Sequence, residues 1–117
     1  MSNFQLHIPN DKKVYFSSDN HLGAPDFEAS KPRELKFVAW LDEIKQDAAA
    51  IFLLGDLFDF WFEYKTVVPK GFVRTLGKLA EIRDSGIPIY FFVGNHDLWM
   101  NDYFEKELNI PVFHKPQ

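Results

Sequence analysis

Three short clusters of side chains that can do chemistry recur along the chain. They are Asp19-Asn20-His21, Gly55-Asp56 and Gly94-Asn95-His96-Asp97. Together they offer carboxylate, imidazole and amide donors, which suit Mn²⁺, Fe, Zn²⁺ or Mg²⁺. The sequence contains no cysteine, so thiolate catalysis and thiolate metal sites are excluded.

The spacing inside the clusters indicates how they would share metal ions. Asp19 and His21 stand two residues apart, so one loop can turn both toward the same cation. The Asp56 carboxylate has two oxygens that can contact two cations, and Asn95 can add an amide oxygen to the second. Such a pair of cations holds phosphoryl oxygens for displacement at phosphorus. The residues therefore predict hydrolysis of a phosphate ester or anhydride.

His96 is the candidate for a role at the reacting group. It directly follows the candidate ligand Asn95 and precedes Asp97. A neighbouring carboxylate can fix the tautomer of an imidazole. We therefore expect His96 to approach the substrate rather than to serve only as a turn residue.

The predicted elements bring these clusters to one edge of a sheet. Apolar runs and helical spacing predict, in chain order, strand 14–16, helix 32–46, strand 50–54, helix 70–85, strand 89–93, helix 102–108 and strand 112–113. This alternation predicts an α/β fold with parallel strands and right-handed crossovers. Ligands bind beyond the carboxyl ends of such strands. Since each cluster directly follows a strand, all three should converge there.

Two details of these elements can be compared directly with a structure. Pro32 suits the first turn of the first helix, whose apolar stripe is predicted to comprise Leu35, Val38, Leu41 and Ile44. The second strand is an uninterrupted apolar run, which is typical of a strand covered on both faces.

Each cluster taken singly also fits a solvated turn, because Gly, Asn and Asp favour turns. Gly55 and Gly94 would then simply let the backbone leave the sheet. All three clusters occur, however, and each follows a predicted parallel strand. This coincidence favours the metal site.

Composition bounds the class of protein and its partners. The 117 residues suit one domain, with 46% hydrophobic and 26% charged residues. The 17 acidic and 13 basic residues give a net charge of −4, which disfavours nucleic acid as a partner. No apolar run approaches the ~20 residues of a membrane span, and the start does not resemble a secretory signal. The expected location is the cytoplasm.

The three clusters resemble the motifs of the calcineurin-like metallophosphoesterases, which are Asp-x-His, Gly-Asp-x-x-Asp and Gly-Asn-His-Asp. All three stand in this sequence without a mismatch. The resemblance implies two divalent ions, with Mn²⁺ favoured, and attack on phosphorus by a hydroxide that bridges them. It implies Asp19 and His21 on the first metal, Asp56 as the bridge, Asn95 on the second metal and His96 near the leaving group.

A narrower resemblance concerns residues 55–61, Gly-Asp-Leu-Phe-Asp-Phe-Trp. This segment is similar to the UDP-2,3-diacylglucosamine pyrophosphatases of lipid A synthesis. It implies an acylated UDP-sugar as substrate, UMP and 2,3-diacylglucosamine 1-phosphate as products, and peripheral association with the inner membrane. Many members of that subfamily carry Arg at the position of His96, a departure that leaves the reaction type unchanged and the substrate open.

The resemblance covers residues 1–117 as a single, partial domain, the N-terminal half of a metallophosphoesterase α/β sandwich. The later histidine motifs of the family are absent, so we expect a truncated chain that is inactive alone. An open sheet edge also favours a homo-oligomer.

Rival functions are a different calcineurin-like phosphodiesterase or phosphatase and a non-catalytic scaffold of the same fold. A Rossmann-type domain is disfavoured, because no glycine-rich loop follows the first strand.

The aromatic segment 58–64, Phe-Asp-Phe-Trp-Phe-Glu-Tyr, allows three interpretations. Its rings can form part of the core, an apolar wall that accepts acyl chains, or an exposed patch that promotes association.

Two further histidines, His7 and His114, match no motif and are expected at the surface.

Overall fold

Parallel strands form one sheet in which the spatial order follows the chain. The computed structural model describes residues 11–18, 20–24, 26–58, 61, 63, 71–94, 100 and 102–114. Within them the sheet has the order β1-β2-β3-β4. Its strands are β1 (Lys13–Ser17), β2 (Ala48–Leu53), β3 (Ile89–Phe92) and β4 (Val112–Phe113). All neighbouring pairs are parallel, which confirms the predicted sheet and its short last strand.

Helices connect the strands. They are α1 (Phe27–Ile44) between β1 and β2, α2 (Val73–Asp84) between β2 and β3, and α3 (Tyr103–Leu108) before β4. The second helix ends within one residue of the predicted end but begins three residues later, at Val73, with the buried Phe72 directly before it. No helix in the described ranges is long and apolar enough to cross a bilayer.

The start of α1 differs from the prediction. Asp26 caps the helix, because its carboxylate accepts the backbone N–H of Ala29 at 2.8 Å. Pro32, which was expected in the first turn, therefore lies inside the helix. The local cap selects the earlier start, even though the proline ring cannot donate a backbone hydrogen bond there.

The buried face of α1 also differs from the predicted stripe. The helix buries Ser30, Glu34, Phe37, Leu41 and Ile44, whereas Leu35 is 53% exposed. The apolar pattern correctly predicted Leu41 and Ile44, but it could not find the two polar positions of this face. Those two residues are buried because each has a partner: the Ser30 hydroxyl accepts the Gly23 N–H at 2.6 Å, and Glu34 bonds to Thr75.

The contact between α1 and α2 combines a buried carboxylate with an exposed charged network. Inside, Glu34 accepts hydrogen bonds from the Thr75 hydroxyl at 2.9 Å and from its backbone N–H at 3.3 Å. Outside, Lys45 and Lys78 each lie within 3.0 Å of both Asp42 and Glu81, and these four residues are called the interhelical network. The two helices therefore contact each other both in the protein interior and at the surface.

The four charges of the interhelical network change one another's pKa. Hydrogen bonds to Asp42 and Glu81 raise the pKa of Lys45 to about 12 and also raise that of Lys78. Hydrogen bonds from the two lysines lower the pKa of Asp42 and of Glu81. Each group therefore favours its charged form in the folded protein.

One face of the sheet contributes to the core that the helices share. Ile51, Leu53, Ile89 and Phe91 are at most 1% exposed, and they cluster with buried residues of the helices. Alternate residues of the strands point to opposite faces. The second face must therefore carry the remaining strand side chains.

That second face is a ladder of aromatic rings. Phe16 stacks on Phe52 and Phe52 on Tyr90, with ring centroids 5.2 and 5.0 Å apart, and Phe92 stacks on Phe113 at 4.9 Å. We call these five residues the aromatic face. Phe52, at its centre, is only half-buried and Phe16 is 58% exposed. On this face Phe52 of β2 is thus partly buried, in contrast to the fully buried Ile51 and Leu53 on the other.

Candidate functional site

The loop after β1 runs alongside the loop after β2. The backbone N–H of His21 donates to the Asp56 carbonyl at 2.9 Å, and that of Leu22 donates to the Leu57 carbonyl at 2.9 Å. A parallel bridge between Leu22 and Phe58 continues the pairing. Leu22, Leu57 and Phe58 are at most 1% exposed. The two motif loops are therefore held together by backbone hydrogen bonds and by side chains that are buried in the core.

His21 and Asp56 both have left-handed backbones. Their φ angles are 48° and 52°, and Gly55 before Asp56 has a φ of 102°. Such values are uncommon for residues other than glycine, although Asn, Asp and His adopt them more often than most. Non-glycine residues in this region cluster at functional sites, where the surrounding structure holds them. Two predicted metal ligands are thus in this class and adjacent to each other.

The loop after β3 also contacts Asp56. A Cβ atom built on Gly94 would lie 2.3 Å from Oδ1 and 2.5 Å from the backbone nitrogen of Asp56. A Cβ on Gly55 would lie 3.0 Å from the Gly94 Cα. Two glycines therefore let the ends of β2 and β3 approach backbone to backbone. This approach brings the Asp56 carboxylate against the residue that precedes Asn95.

The described residues fit a divalent metal site in part. A carboxylate and an imidazole residue lie on adjoining loops at the carboxyl edge of the sheet, and they offer the oxygen and nitrogen donors that such ions accept. Asp19, Asn95 and His96 lie outside the described residues, as do Asp59 and Asp97. Among the residues that are described, no group of three His, Asp or Glu side chains is placed to hold a metal. The four-ligand set thus stays a prediction, with two of its members adjacent.

The structure distinguishes the interpretations of the aromatic segment for two of its rings. Trp61 and Phe58 are fully buried, and their ring centroids lie 4.5 Å apart. Trp61 also packs against Phe104 at 5.6 Å. These two residues belong to the core, so the exposed-patch interpretation is wrong for them. Phe60, Phe62 and Tyr64 lie outside the described residues.

Two polar residues that the sequence did not single out form hydrogen bonds in this part of the fold. Glu63 is 7% exposed; it accepts the indole N–H of Trp61 at 2.8 Å and the backbone N–H of Tyr103 at 3.2 Å. Arg33 on α1 donates to carbonyl oxygens of the loop that carries His21. Neither residue belongs to a motif, and apart from the bond between Trp61 and Glu63 these hydrogen bonds involve backbone atoms, which a pattern of side chains does not reveal. His114, as predicted, is exposed.

Curated relatives share this part of the chain. One from Porphyromonas gingivalis, named UDP-2,3-diacylglucosamine hydrolase, is 51% identical over 100 residues, covering 86% of this chain and 38% of the relative. Proteins of the same name from Haemophilus influenzae and Vibrio parahaemolyticus are 33% and 32% identical, over 82% and 83% of this chain and 38% of each relative. The chain thus spans well under half of the length of these relatives.

The family assignment rests on a match over nearly the whole chain. The sequence model of the family described as Calcineurin-like phosphoesterase matches residues 12–116. The match includes all three motif loops and every strand of the sheet. The chain therefore belongs to the calcineurin-like phosphoesterase family.

Proposed function

We propose that this chain contributes to the metal centre of a hydrolase that cleaves the phosphoanhydride of UDP-2,3-diacylglucosamine. The products would be UMP and 2,3-diacylglucosamine 1-phosphate. The names of the relatives support this substrate. The three intact motifs support the reaction class.

One observation carries the proposal: Asp56 lies where three motif loops meet. The His21 loop bonds to its carbonyl, and the Gly94 loop packs against its carboxylate. A carboxylate in that position can be shared between two cations, one held from the His21 side and one from the Asn95 side. The placement of Asp56 therefore supports its proposed role as the bridge.

The remaining roles follow from the order of the motifs. Asp19 and His21 would hold the first cation and Asn95 the second, with Mn²⁺ favoured. When bound, two such ions neutralise charge on the phosphoryl oxygens and activate water. His96 would donate a proton to the departing phosphate oxygen or stabilise its charge. In the balanced reaction, water adds to one phosphorus and the bridging P–O bond breaks.

The substrate class would also determine where the enzyme works. An acylated UDP-sugar places its acyl chains at a membrane surface, while its diphosphate lies in the adjoining water. We therefore propose peripheral association with the cytoplasmic face of the inner membrane. The acyl-binding role of the aromatic segment is not supported for Trp61, because that ring is fully buried.

The decisive test is Asp56→Asn in the complete product of the gene. Asn tolerates a left-handed backbone, so this change removes the charge and keeps the loop. We expect a loss of metal content and a loss of activity beyond the roughly 10- to 100-fold that an outer-shell partner costs. Asp84→Asn, the same change at the exposed end of α2, is the matched control.

The assay distinguishes the rival functions. Phosphorus NMR would follow UMP release from UDP-2,3-diacylglucosamine beside cleavage of a simple phosphodiester. Preference for the acylated UDP-sugar supports the proposal, and preference for the simple diester indicates another phosphoesterase. Full metal content without cleavage of either compound would indicate a non-catalytic scaffold.

His96→Ala tests the division of roles. If His96 acts on the leaving group, turnover should fall far more than metal content. General acid catalysis contributes about 10²- to 10⁴-fold, so a loss of that order is expected in kcat. An equal loss of metal and turnover would instead make His96 a metal ligand.

A further inference from the structure

We propose that Arg33 is a positioning residue that holds His21 in its metal-binding backbone conformation. The inference rests on the proposed function, because it concerns a predicted ligand of that metal centre. Arg33 lies on α1, outside the three motifs and outside every role assigned above.

The guanidinium group binds both ends of the loop that carries His21. Its Nη1 atom donates to the carbonyl oxygens of Asn20 at 2.8 Å and of His21 at 3.2 Å. Its Nη2 atom donates to the carbonyl oxygen of Ala24. A planar fork with several fixed donors can bind diverging carbonyl groups in this way, whereas a lysine ammonium cannot match the geometry.

These bonds act on the peptide groups that define the conformation of His21. The N–H of His21 is held by the carbonyl of Asp56 at 2.9 Å, and the carbonyl of His21 is held by Arg33. The left-handed φ of 48° lies between these two fixed peptide groups. A non-glycine residue persists in this region only where its surroundings determine it. The Leu22 N–H, bonded to the Leu57 carbonyl, fixes the same peptide group from the loop after β2, and Arg33 adds the restraint that comes from α1.

The positive charge of Arg33, considered without its hydrogen bonds, would weaken metal binding rather than support it. Among the described residues, no carboxylate forms an ion pair with Arg33. A cation close to a metal ligand repels a divalent cation. Removing Arg33 should therefore tighten metal binding if its charge dominates, and weaken it if its hydrogen bonds dominate. The direction in which metal affinity changes therefore distinguishes an electrostatic role of Arg33 from a positioning role.

The test compares Arg33→Ala, Arg33→Lys and the control Lys31→Ala. Lys31 lies exposed on the same helix and, among the described residues, forms no hydrogen bond or ion pair with the loop, so its removal changes the net charge equally. Two readouts are needed: hydrogen exchange of the His21 amide in this chain, and Mn²⁺ affinity by chelator competition in the complete gene product. Global unfolding by urea is measured for every variant.

We expect Arg33→Ala to accelerate exchange of the His21 amide and to weaken Mn²⁺ binding by about 10- to 100-fold, as for other outer-shell partners. Arg33→Lys should behave in the same way, because it keeps the charge and loses the fork. It also carries the test if the alanine variant does not fold. Lys31→Ala should change neither readout.

The outcomes separate this inference from the proposed function. Unchanged exchange and affinity in both Arg33 variants, or tighter Mn²⁺ binding in Arg33→Ala, would overturn the role of Arg33. A complete gene product that binds no Mn²⁺ would overturn the metal centre, and with it the purpose assigned to Arg33. Its hold on His21 would still be visible in the exchange rates in that case.

Discussion

His21 and Asp56 show how much of this site depends on single residues in uncommon conformations. Their left-handed φ angles are stabilised by a backbone bond between the two loops and by close contact with Gly94. Each of these restraints comes from a different strand end. The site is therefore sensitive to small changes in residues that perform no chemistry.

Gly94→Ala is the sharpest prediction at this scale. The new methyl group would lie 2.3 Å from the Asp56 carboxylate and 2.5 Å from its backbone nitrogen, so the loop must shift. We expect a loss of about 1–3 kcal/mol in the free energy of unfolding, as for other overpacked positions. Urea denaturation measures this loss, and Mn²⁺ affinity of the complete gene product should fall as well.

The control is Gly77→Ala, because a Cβ there meets nothing within 4 Å. Gly77 lies inside α2, where alanine is favoured over glycine by about 0.5–1 kcal/mol. The same chemical change should thus stabilise one position and destabilise the other. Equal effects at both positions would show that the contact with Asp56 is not tight.

At the scale of the elements, the pairing of α1 with α2 depends on a buried carboxylate. Thr75→Val removes the hydroxyl that donates to Glu34 at 2.9 Å and leaves the longer backbone bond. We expect a loss of about 1–3 kcal/mol in urea denaturation. The loss should shrink in a Glu34→Gln background, where the acceptor is uncharged. Val73→Thr at a position that is 76% exposed is the reverse change and should be neutral.

The interhelical network predicts how stability depends on pH. The pKa values of Asp42 and Glu81 are lowered from 3.8 and 4.5 on folding, so their contribution is present above those values and is lost as pH falls through the lowered ones. The pKa values of Lys45 and Lys78 are raised from 10.5. Their contribution is complete below that value and, for Lys45, is lost as pH rises through about 12.

Lys78→Gln tests this dependence. The variant removes one of the two cations that lower both carboxylate pKa values. We expect the urea midpoint to vary less with pH in the acid range below 4.5 than it does in the unsubstituted chain. Added salt should reduce the difference, because the network is exposed and therefore screened. An unchanged acid dependence would mean that the network does not persist in solution.

The elements also show what the sequence could and could not predict. Apolar runs such as Ile89–Phe92 identified the strands, and the strand ends placed His21 and Asp56 at one edge, as the structure confirms. Of the buried face of α1, Leu41 and Ile44 were predicted, whereas Ser30 and Glu34 were missed because they are buried through hydrogen bonds that only the tertiary structure supplies. The left-handed conformations were missed for the same reason.

At the scale of the whole molecule, the aromatic face has an exposed apolar residue at its edge. Exposed apolar surface can mark an interaction site. Phe16 is 58% exposed at the edge of the aromatic face. The chain also spans only 38% of the length of its relatives. We therefore expect the isolated 117-residue chain to associate with itself through this face.

Phe16→Ser tests that expectation. Because most of the ring is exposed, its removal should weaken self-association more than it lowers the free energy of unfolding. Sedimentation velocity over a range of concentrations measures the association. Leu35→Ser, at a residue of α1 that is 53% exposed and lies off the aromatic face, should leave it unchanged. Equal weakening by both variants would contradict a role for the aromatic face.

The strand order has a consequence for synthesis on the ribosome. Because the order in space is the order in the chain, each strand that emerges can pair at once with the strand made before it. Most pairing then spans only one helix, and domains form progressively from the N-terminus. The contact of Gly94 with Asp56 must wait until β3 has been made. The metal ligands would therefore take their final form only after all three strand ends that contribute to the site have been made.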